Sequence, residues 1–221
     1  MQNKGKKIFS IFIIMLIIVV LILAIYIAYY YISNYMALKE AEEAVDVFEN
    51  QLQVVEIDEP IIDANVIIQQ PDTPSTTNSS RKTSYSGTTS YRGYNMVGTI
   101  QIPKTKVKAP IVDRVTTNSI SAAVGVLYGS GLNEIGNTVL VAHNYRNGTF
   151  FSNNKKLAVG DVIYVTDISG RKIQYSIYNT YITVDSDFSY DTRETRGKRE
   201  ISLSTCTTDA TKRLVIWARE I

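Results

Sequence analysis

The chain has 221 residues, 45% of them hydrophobic and 20% charged, with a formal net charge of +2, which suits one modest domain with appendages and a real core. One Cys and one His exclude a disulfide framework and leave no Cys/His set for zinc or an iron–sulfur cluster. Lys4, Lys6 and Lys7 have no acid among them, and the remaining 20 basic residues face 21 acidic ones, so no basic stripe for nucleic acid runs along the rest of the chain.

Residues 8–38 contain no charge, no Gly and no Pro. As a helix, residues 8–31 would extend about 36 Å, against a hydrocarbon core of about 30 Å. A cleaved signal peptide has an apolar region of only about 7–15 residues, and here Tyr26, Tyr29, Tyr30, Tyr31 and Tyr35 stand where a cleavage site would be. Those rings suit a headgroup belt, and the lysines ahead of the span place the N-terminus in the cytoplasm by the positive-inside rule. The expectation is a cytoplasmic tail (residues 1–7), a single-pass anchor in the cell membrane (residues 8–33) and everything beyond outside the cytoplasm.

Residues 34–70 read as a helical stalk. Ala37, Leu38, Lys39, Glu40 and Ala41 are strong helix formers, and Val45, Phe48, Leu52 and Val55 recur at three- and four-residue steps. In residues 71–94 twelve of twenty-four are Ser or Thr, with Pro71, Pro74, Gly87 and Gly93. Too little apolar area is available there to offset ordering entropy, so a linker is expected.

Residues 95–221 turn to β patterning. Strands are expected over 97–102, 107–112, 138–142, 162–166, 172–178, 200–206 and 212–220, with a short helix over 119–126 and one or two helical turns over 150–157. Residues 185–199 are polar and read as a loop. Seven or eight short strands with little helix argue for a closed barrel or a sandwich.

The last two strands carry the chemistry. Alternation puts Ile201 and Leu203 on one face and Ser202, Ser204 and Cys206 on the other. A hairpin across residues 207–212 sets Cys206 opposite Arg213, and directly opposed residues have Cβ atoms about 4.5–5.5 Å apart. His143 closes another apolar strand. A thiolate is a strong nucleophile near neutral pH, and a nearby cation favours it. Acyl transfer then needs a donor for the developing oxyanion and a proton source for the leaving amine. Arg213 can supply the first and His143 the second. Each also has an ordinary reading: Cys206 as a small buried hydrophobe, His143 as a satisfied strand-end imidazole, and Arg213 as a rim charge.

At these residues the sequence resembles the sortases, the membrane-anchored cysteine transpeptidases of Gram-positive bacteria. Leu203-Ser204-Thr205-Cys206 is similar to the signature around the family's nucleophile, Arg213-Leu214-Val215-Ile216 to its arginine-led strand, and Ala142-His143-Asn144 to its histidine strand. The similarity runs from about residue 96 to residue 221, and Phe150, Leu157, Gly160 and Asp161 extend it. It implies a closed eight-stranded sortase-type β-barrel with short helices, preceded by one transmembrane helix. It also implies catalysis by Cys206, His143 and Arg213, with Thr205 as a substrate contact. The implied reaction cleaves an LPxTG-like sorting signal between Thr and Gly through a thioacyl enzyme. The partners implied are secreted proteins carrying that signal and an amine of peptidoglycan or its lipid-linked precursor; no cofactor or metal is implied. Asp58-Glu59-Pro60 lacks the aromatic of a pilin-type lid and the chain stops just after its last strand, which disfavours class C. The short Cys206-to-Arg213 connection and Asn144 after His143 resemble class B or class D members more than class A, so a class B- or D-like member is expected. The rival readings are a cysteine peptidase that only hydrolyses, and a membrane-tethered β-barrel that only binds.

Overall fold

The structure is a computed structural model that describes residues 2–57 and 89–221. Asp58-Glu59-Pro60 and most of the expected linker lie outside the described residues. The chain divides into two units, Met1–Ala41 and Glu42–Ile221, and helix α1 (Gln2–Ile57) supplies the first and opens the second. Residues 6–57 contain neither Gly nor Pro, so nothing interrupts the hydrogen-bond ladder of the helix. In the first unit the large apolar side chains, Leu16 and Ile22 among them, stand exposed. Among the described residues α1 is the one helix long and apolar enough to cross a membrane.

The second unit holds nine strands: β1 (Ser90–Tyr91), β2 (Tyr94–Ile102), β3 (Val107–Val112), β4 (Val124–Tyr128), β5 (Gly136–Val141), β6 (Val162–Asp167), β7 (Lys172–Val184), β8 (Arg199–Cys206) and β9 (Lys212–Glu220). Eight of them follow the order β2-β3-β4-β5-β8-β9-β7-β6, and β6 returns to pair with β2, which closes the barrel. β1 only extends β2 by a two-residue pairing. Gly98 sits where β2 meets β6: a Cβ there would lie 2.3 Å from the Thr166 carbonyl oxygen and 2.5 Å from a Leu132 methyl, so closure requires a hydrogen at that position.

Six of the pairings around the ring are antiparallel, while β3–β4 and β5–β8 are parallel. Parallel neighbours need a crossover, and helix α2 (Thr117–Ala122) provides the first. The helix expected over residues 119–126 is therefore corrected. A capping box between Thr116 and Ser119 starts it earlier, and Val124 pairs with Ile111 as strand, where β-branched side chains pack better than in a helix. Over residues 150–157 a single 3₁₀ turn forms, at Asn154–Lys156.

Alternation fills the barrel. Ile100, Ile111, Leu140, Ile163, Ile177, Leu203 and Ile216 point inward and are buried together. Val139, Val141 and Val215 point outward, yet they are buried as well, because Tyr190 of the β7–β8 connection folds back over them.

The start of the second unit docks on the outer wall. Val45 and Phe48 are fully buried. Glu49 Oε1 accepts hydrogen bonds from Thr99 Oγ1 at 3.1 Å and Gln101 Nε2 at 3.0 Å on β2, and Asp46 pairs with Lys108 on β3. β2 lies four strand steps from β8 in either direction round the ring, so this helix covers the wall opposite the strand that ends in Cys206. Glu49→Ala leaves the buried Thr99 hydroxyl without its acceptor, and is expected to lower stability by about 1.5–3 kcal/mol. Thermal unfolding followed by circular dichroism checks this; an unchanged midpoint would show that the docked helix does not support the barrel there.

Candidate active site

The β8–β9 turn fixes the first pair. Thr207 N–H donates to the Lys212 carbonyl at 2.8 Å, and Lys212 N–H donates to Thr207 Oγ1 at 3.1 Å. Asp209 accepts from Thr207 Oγ1 at 2.5 Å and from Thr211 N–H at 3.3 Å, and these bonds hold its carboxyl at about 2. Ala210 takes a left-handed φ of +59° to complete the turn. With the turn set, the antiparallel register runs from Glu200↔Arg219 to Cys206↔Arg213. Cys206 is a free, partly exposed thiol, on the outward face shared by Ser204 and Val215.

His143 arrives from β5. The parallel β5–β8 register ends at Val141↔Ser204, two residues before His143 and Cys206; β5 ends there, while β8 runs on to Cys206 in its pairing with β9. Side chains then carry the alignment onward: Thr205 Oγ1 donates to the Ala142 carbonyl at 2.7 Å, and Asn144 Nδ2 donates to the Cys206 carbonyl at 3.0 Å. The His143 ring packs at 5.0 Å from the Tyr145 ring, and its carbonyl accepts from Phe151 N–H at 3.3 Å. Phe150 adopts a left-handed φ of +47°, a conformation costing a bulky residue about 1–2 kcal/mol. Burial of Phe151 in the barrel core, next along the chain, offsets that cost.

Burial pushes the His143 pKa below its ordinary 6.5, because the charged imidazolium loses solvation. Since the chain has one His, its ring signal in an NMR titration is unambiguous. The midpoint is expected below 6.5, and a midpoint at or above that value would refute the desolvation argument. The unfolded state binds this proton more readily than the folded one. His143 therefore lowers stability as pH falls from 6.5 toward its depressed value, and His143→Gln removes that slope.

Arg213 is held from the other side. Its Nε donates to the Asp185 carbonyl at 3.2 Å, and its guanidinium lies 5.9 Å from the Phe188 ring. Both partners belong to the β7–β8 connection, which is the polar loop expected there; most of it is exposed, but Tyr190 and Thr195 are buried. Tyr190 is buried with its hydroxyl 3.1 Å from Ser204 Oγ. Arg193 reaches under the connection to the carboxylate of Glu200 and donates to Asn137 Oδ1 at 2.9 Å. Sequence reasoning missed Asn144, Tyr190, Arg193 and Glu200. Thr205 is buried, with its hydroxyl on Ala142. Two open clefts, one beside Val97, Leu132 and Arg171 and one beside Tyr128, Ile135 and Asp191, contain none of His143, Cys206 or Arg213. The backbone positions of Cys206, Arg213 and His143 thus lie together at the rim formed by β5, β8 and β9.

That rim lies within a stretch recognised in other proteins. Residues 100–221, more than half of the chain, match the sortase domain, and the chain belongs to the sortase family. Among solved structures it is similar to a lid mutant of sortase A from Corynebacterium diphtheriae, with 25% identity over 58% of this chain and 71% of that one and a TM-score of 0.53. It is also similar to sortase C-1 from Actinomyces oris, with 26% identity over 57% and 75% and a TM-score of 0.52. A third is a sortase D5 transpeptidase from Clostridium perfringens, with 26% identity over 57% and 79% and a TM-score of 0.52. Neighbours of classes A, C and D are equally similar, so the barrel does not separate the classes. No curated protein sequence matches the chain.

Proposed function

We propose that the chain is a membrane-anchored cysteine transpeptidase that cleaves an LPxTG-like sorting signal between Thr and Gly and joins the new carboxyl end to a cell-wall amine. The observation that carries this reading is the convergence of three chain positions at one rim. Cys206 lies opposite Arg213 across the β8–β9 pair, and the β5–β8 register delivers His143 to the same height, all within a sortase-family domain.

In this reading the Cys206 thiolate attacks the Thr carbonyl carbon. The Arg213 guanidinium donates to the oxygen as it gains charge, while its Nε stays on Asp185. The C–N bond then breaks, and His143 gives its proton to the departing Gly amine, leaving a thioester. The acceptor amine, from peptidoglycan or its lipid-linked precursor, attacks that thioester. His143 takes the amine's proton, and the Cys206 thiolate leaves. With its imidazole held below 6.5 by burial, His143 is mostly neutral at pH 7, and proton donation to the leaving amine draws on the minor imidazolium form. The Thr205 hydroxyl, already on Ala142, holds the two strands together.

Lys4, Lys6 and Lys7 ahead of the apolar helix place the N-terminus in the cytoplasm and the barrel outside. The lack of an aromatic after Asp58-Glu59-Pro60 favours a class B- or D-like member over a pilin-polymerising one. The test incubates the full-length chain in detergent with an LPxTG-type peptide library and reads its intact mass. A thioacyl adduct ending at Thr is expected, and an oligoglycine or diaminopimelate-type amine is expected to resolve it into a ligated peptide. A product unchanged by added amine would make the enzyme a hydrolase. No adduct, together with a thiol inert to alkylation, would overturn the catalytic reading.

A further inference from the structure

We propose that Asn144 is a positioning residue that sets the approach of His143 to Cys206. The inference rests on the reading of those two residues as acid–base and nucleophile.

The β5–β8 ladder would leave both groups beyond its end, since its last pair is Val141↔Ser204. Cys206 is still held by its pairing with Arg213 on β9, but past Val141 the histidine strand has no rung to β8, and small shifts there change the separation of the two groups. Two side-chain bonds replace the missing rungs, and they run in opposite directions. Thr205, just before Cys206, donates to Ala142, just before His143, at 2.7 Å. Asn144, just after His143, donates to the carbonyl of Cys206 itself at 3.0 Å. His143 is therefore flanked on both sides by residues tied to the cysteine strand.

The chemistry of the amide suits the position. Its Nδ2 donates to Cys206, while its Oδ1 accepts from Arg146 N–H at 3.1 Å and closes the turn that opens the histidine loop. One planar group thus fixes the loop at one end and the nucleophile strand at the other. A carboxylate only accepts, so it could serve Arg146 but not Cys206. Asn144 bonds to the main chain of Cys206 rather than to the sulfur, so it acts through placement. A misplacement of about 1 Å can lower a rate about 100-fold.

The test uses the full-length chain in detergent, with Asn144→Ala and Asn144→Asp beside the wild type. Four quantities are read: kcat and KM for acyl-enzyme formation from an LPxTG-type peptide, the rate of Cys206 alkylation by iodoacetamide between about pH 5 and 9, and the thermal midpoint. Asn144→Ala is expected to lower kcat about tenfold or more with little change in KM. Its alkylation profile is expected to lose the inflection that the imidazole contributes to the wild-type profile. Asn144→Asp retains the turn bond to Arg146 and removes only the donor to Cys206. It is expected to lose kcat to a similar degree with a midpoint close to the wild type's; the single His signal, followed in parallel, reads out the carboxylate's own effect on His143. A residue that merely shaped the loop would leave Asn144→Asp at the wild-type kcat and profile, and that result overturns the proposal. Should Asn144→Ala fail to fold, the Asn144→Asp comparison decides alone. If the wild type forms no acyl enzyme, the catalytic reading fails separately, and an alkylation profile identical in wild type and Asn144→Asp still overturns the positioning role.

Discussion

Cys206→Ala is expected to abolish covalent capture of a sorting-signal peptide while leaving the barrel as stable as before. The chain has only one Cys, so no other thiol can take over. Loss of a covalent nucleophile lowers kcat on the order of 10⁶-fold, below what an intact-mass assay detects. The fold should hardly respond, since the sulfur is partly exposed and the turn beside it is held by Thr207, Asp209 and the backbone. Substitutions of this kind usually stay within about 0.5 kcal/mol. Mass spectrometry and thermal unfolding on the same sample separate the two effects. An adduct that persisted in Cys206→Ala would place the nucleophile on another side chain, and a collapsed midpoint would make Cys206 a core residue.

Glu200→Ala is expected to have the largest effect on stability. The Glu200 side chain is 0% exposed and that of Arg193 10%. The carboxylate accepts from Arg193, from Arg219 Nε at 2.6 Å and from Tyr178 Oη at 2.6 Å. Burial pushes the Glu200 carboxyl up, but the bonds from Tyr178, Arg193 and Arg219 outweigh burial and hold it below its ordinary 4.5. Its contribution is thus complete above 4.5 and is lost as pH falls through the depressed value.

Removing the carboxylate strands the Arg193 guanidinium, 4.7 Å from the Trp217 ring, without a counter-charge. Breaking one side of a buried pair costs about 3–5 kcal/mol, which for a domain of this size lowers the midpoint by roughly 6–20 °C. Adding Arg193→Met to Glu200→Ala should recover much of that loss, because no buried unpaired charge then remains, the Arg219 side chain being about half exposed. Thermal scans of the single and double variants check the cycle, and additive losses would show that the two residues are not coupled. Arg193 also anchors the connection whose Asp185 carbonyl holds Arg213, so KM and kcat of Glu200→Ala should worsen even well below its midpoint.

What the sequence could disclose depended on how local the determinant was. Cys206 opposite Arg213 needed only alternation and a turn length, both readable within fifteen residues. That His143 joins them depends on β5 lying parallel to β8, a pairing between segments some 62 residues apart that no local pattern announces; the chemistry of the residue types and family resemblance, not periodicity, united the trio. Asn144 was hidden for the same reason, since its partner is the main chain of another strand. The start of α2 was in principle legible, because Thr116 and Ser119 have the spacing of a capping box, but the apolar run through Val126 masked the change to strand. Residues 185–199 form the loop their polarity suggested, but polarity gave no sign that Tyr190 is buried or that Arg193 turns inward to Glu200. Glu200, Tyr178, Trp217 and Arg219 make a second, outward-facing layer that accepts Arg193, and burial of charge can be inferred only once its partner is known to be near.

The docking of residues 42–52 on β2 and β3 changes the topological status of residues 58–88. Both ends of that segment belong to one unit: the chain leaves it at the end of α1 and rejoins it at β1, whose partner is the same β2 that Glu49 grips. Doubling the segment's length would cost the unit only about 0.6 kcal/mol in closure entropy and would add nothing to the stretch of chain joining the two units. A single proteolytic nick within it would leave Phe48, Glu49 and Asp46 still gripping the barrel through contacts that do not pass through the cut. The catalytic unit is, in that sense, open to reconstitution from two fragments.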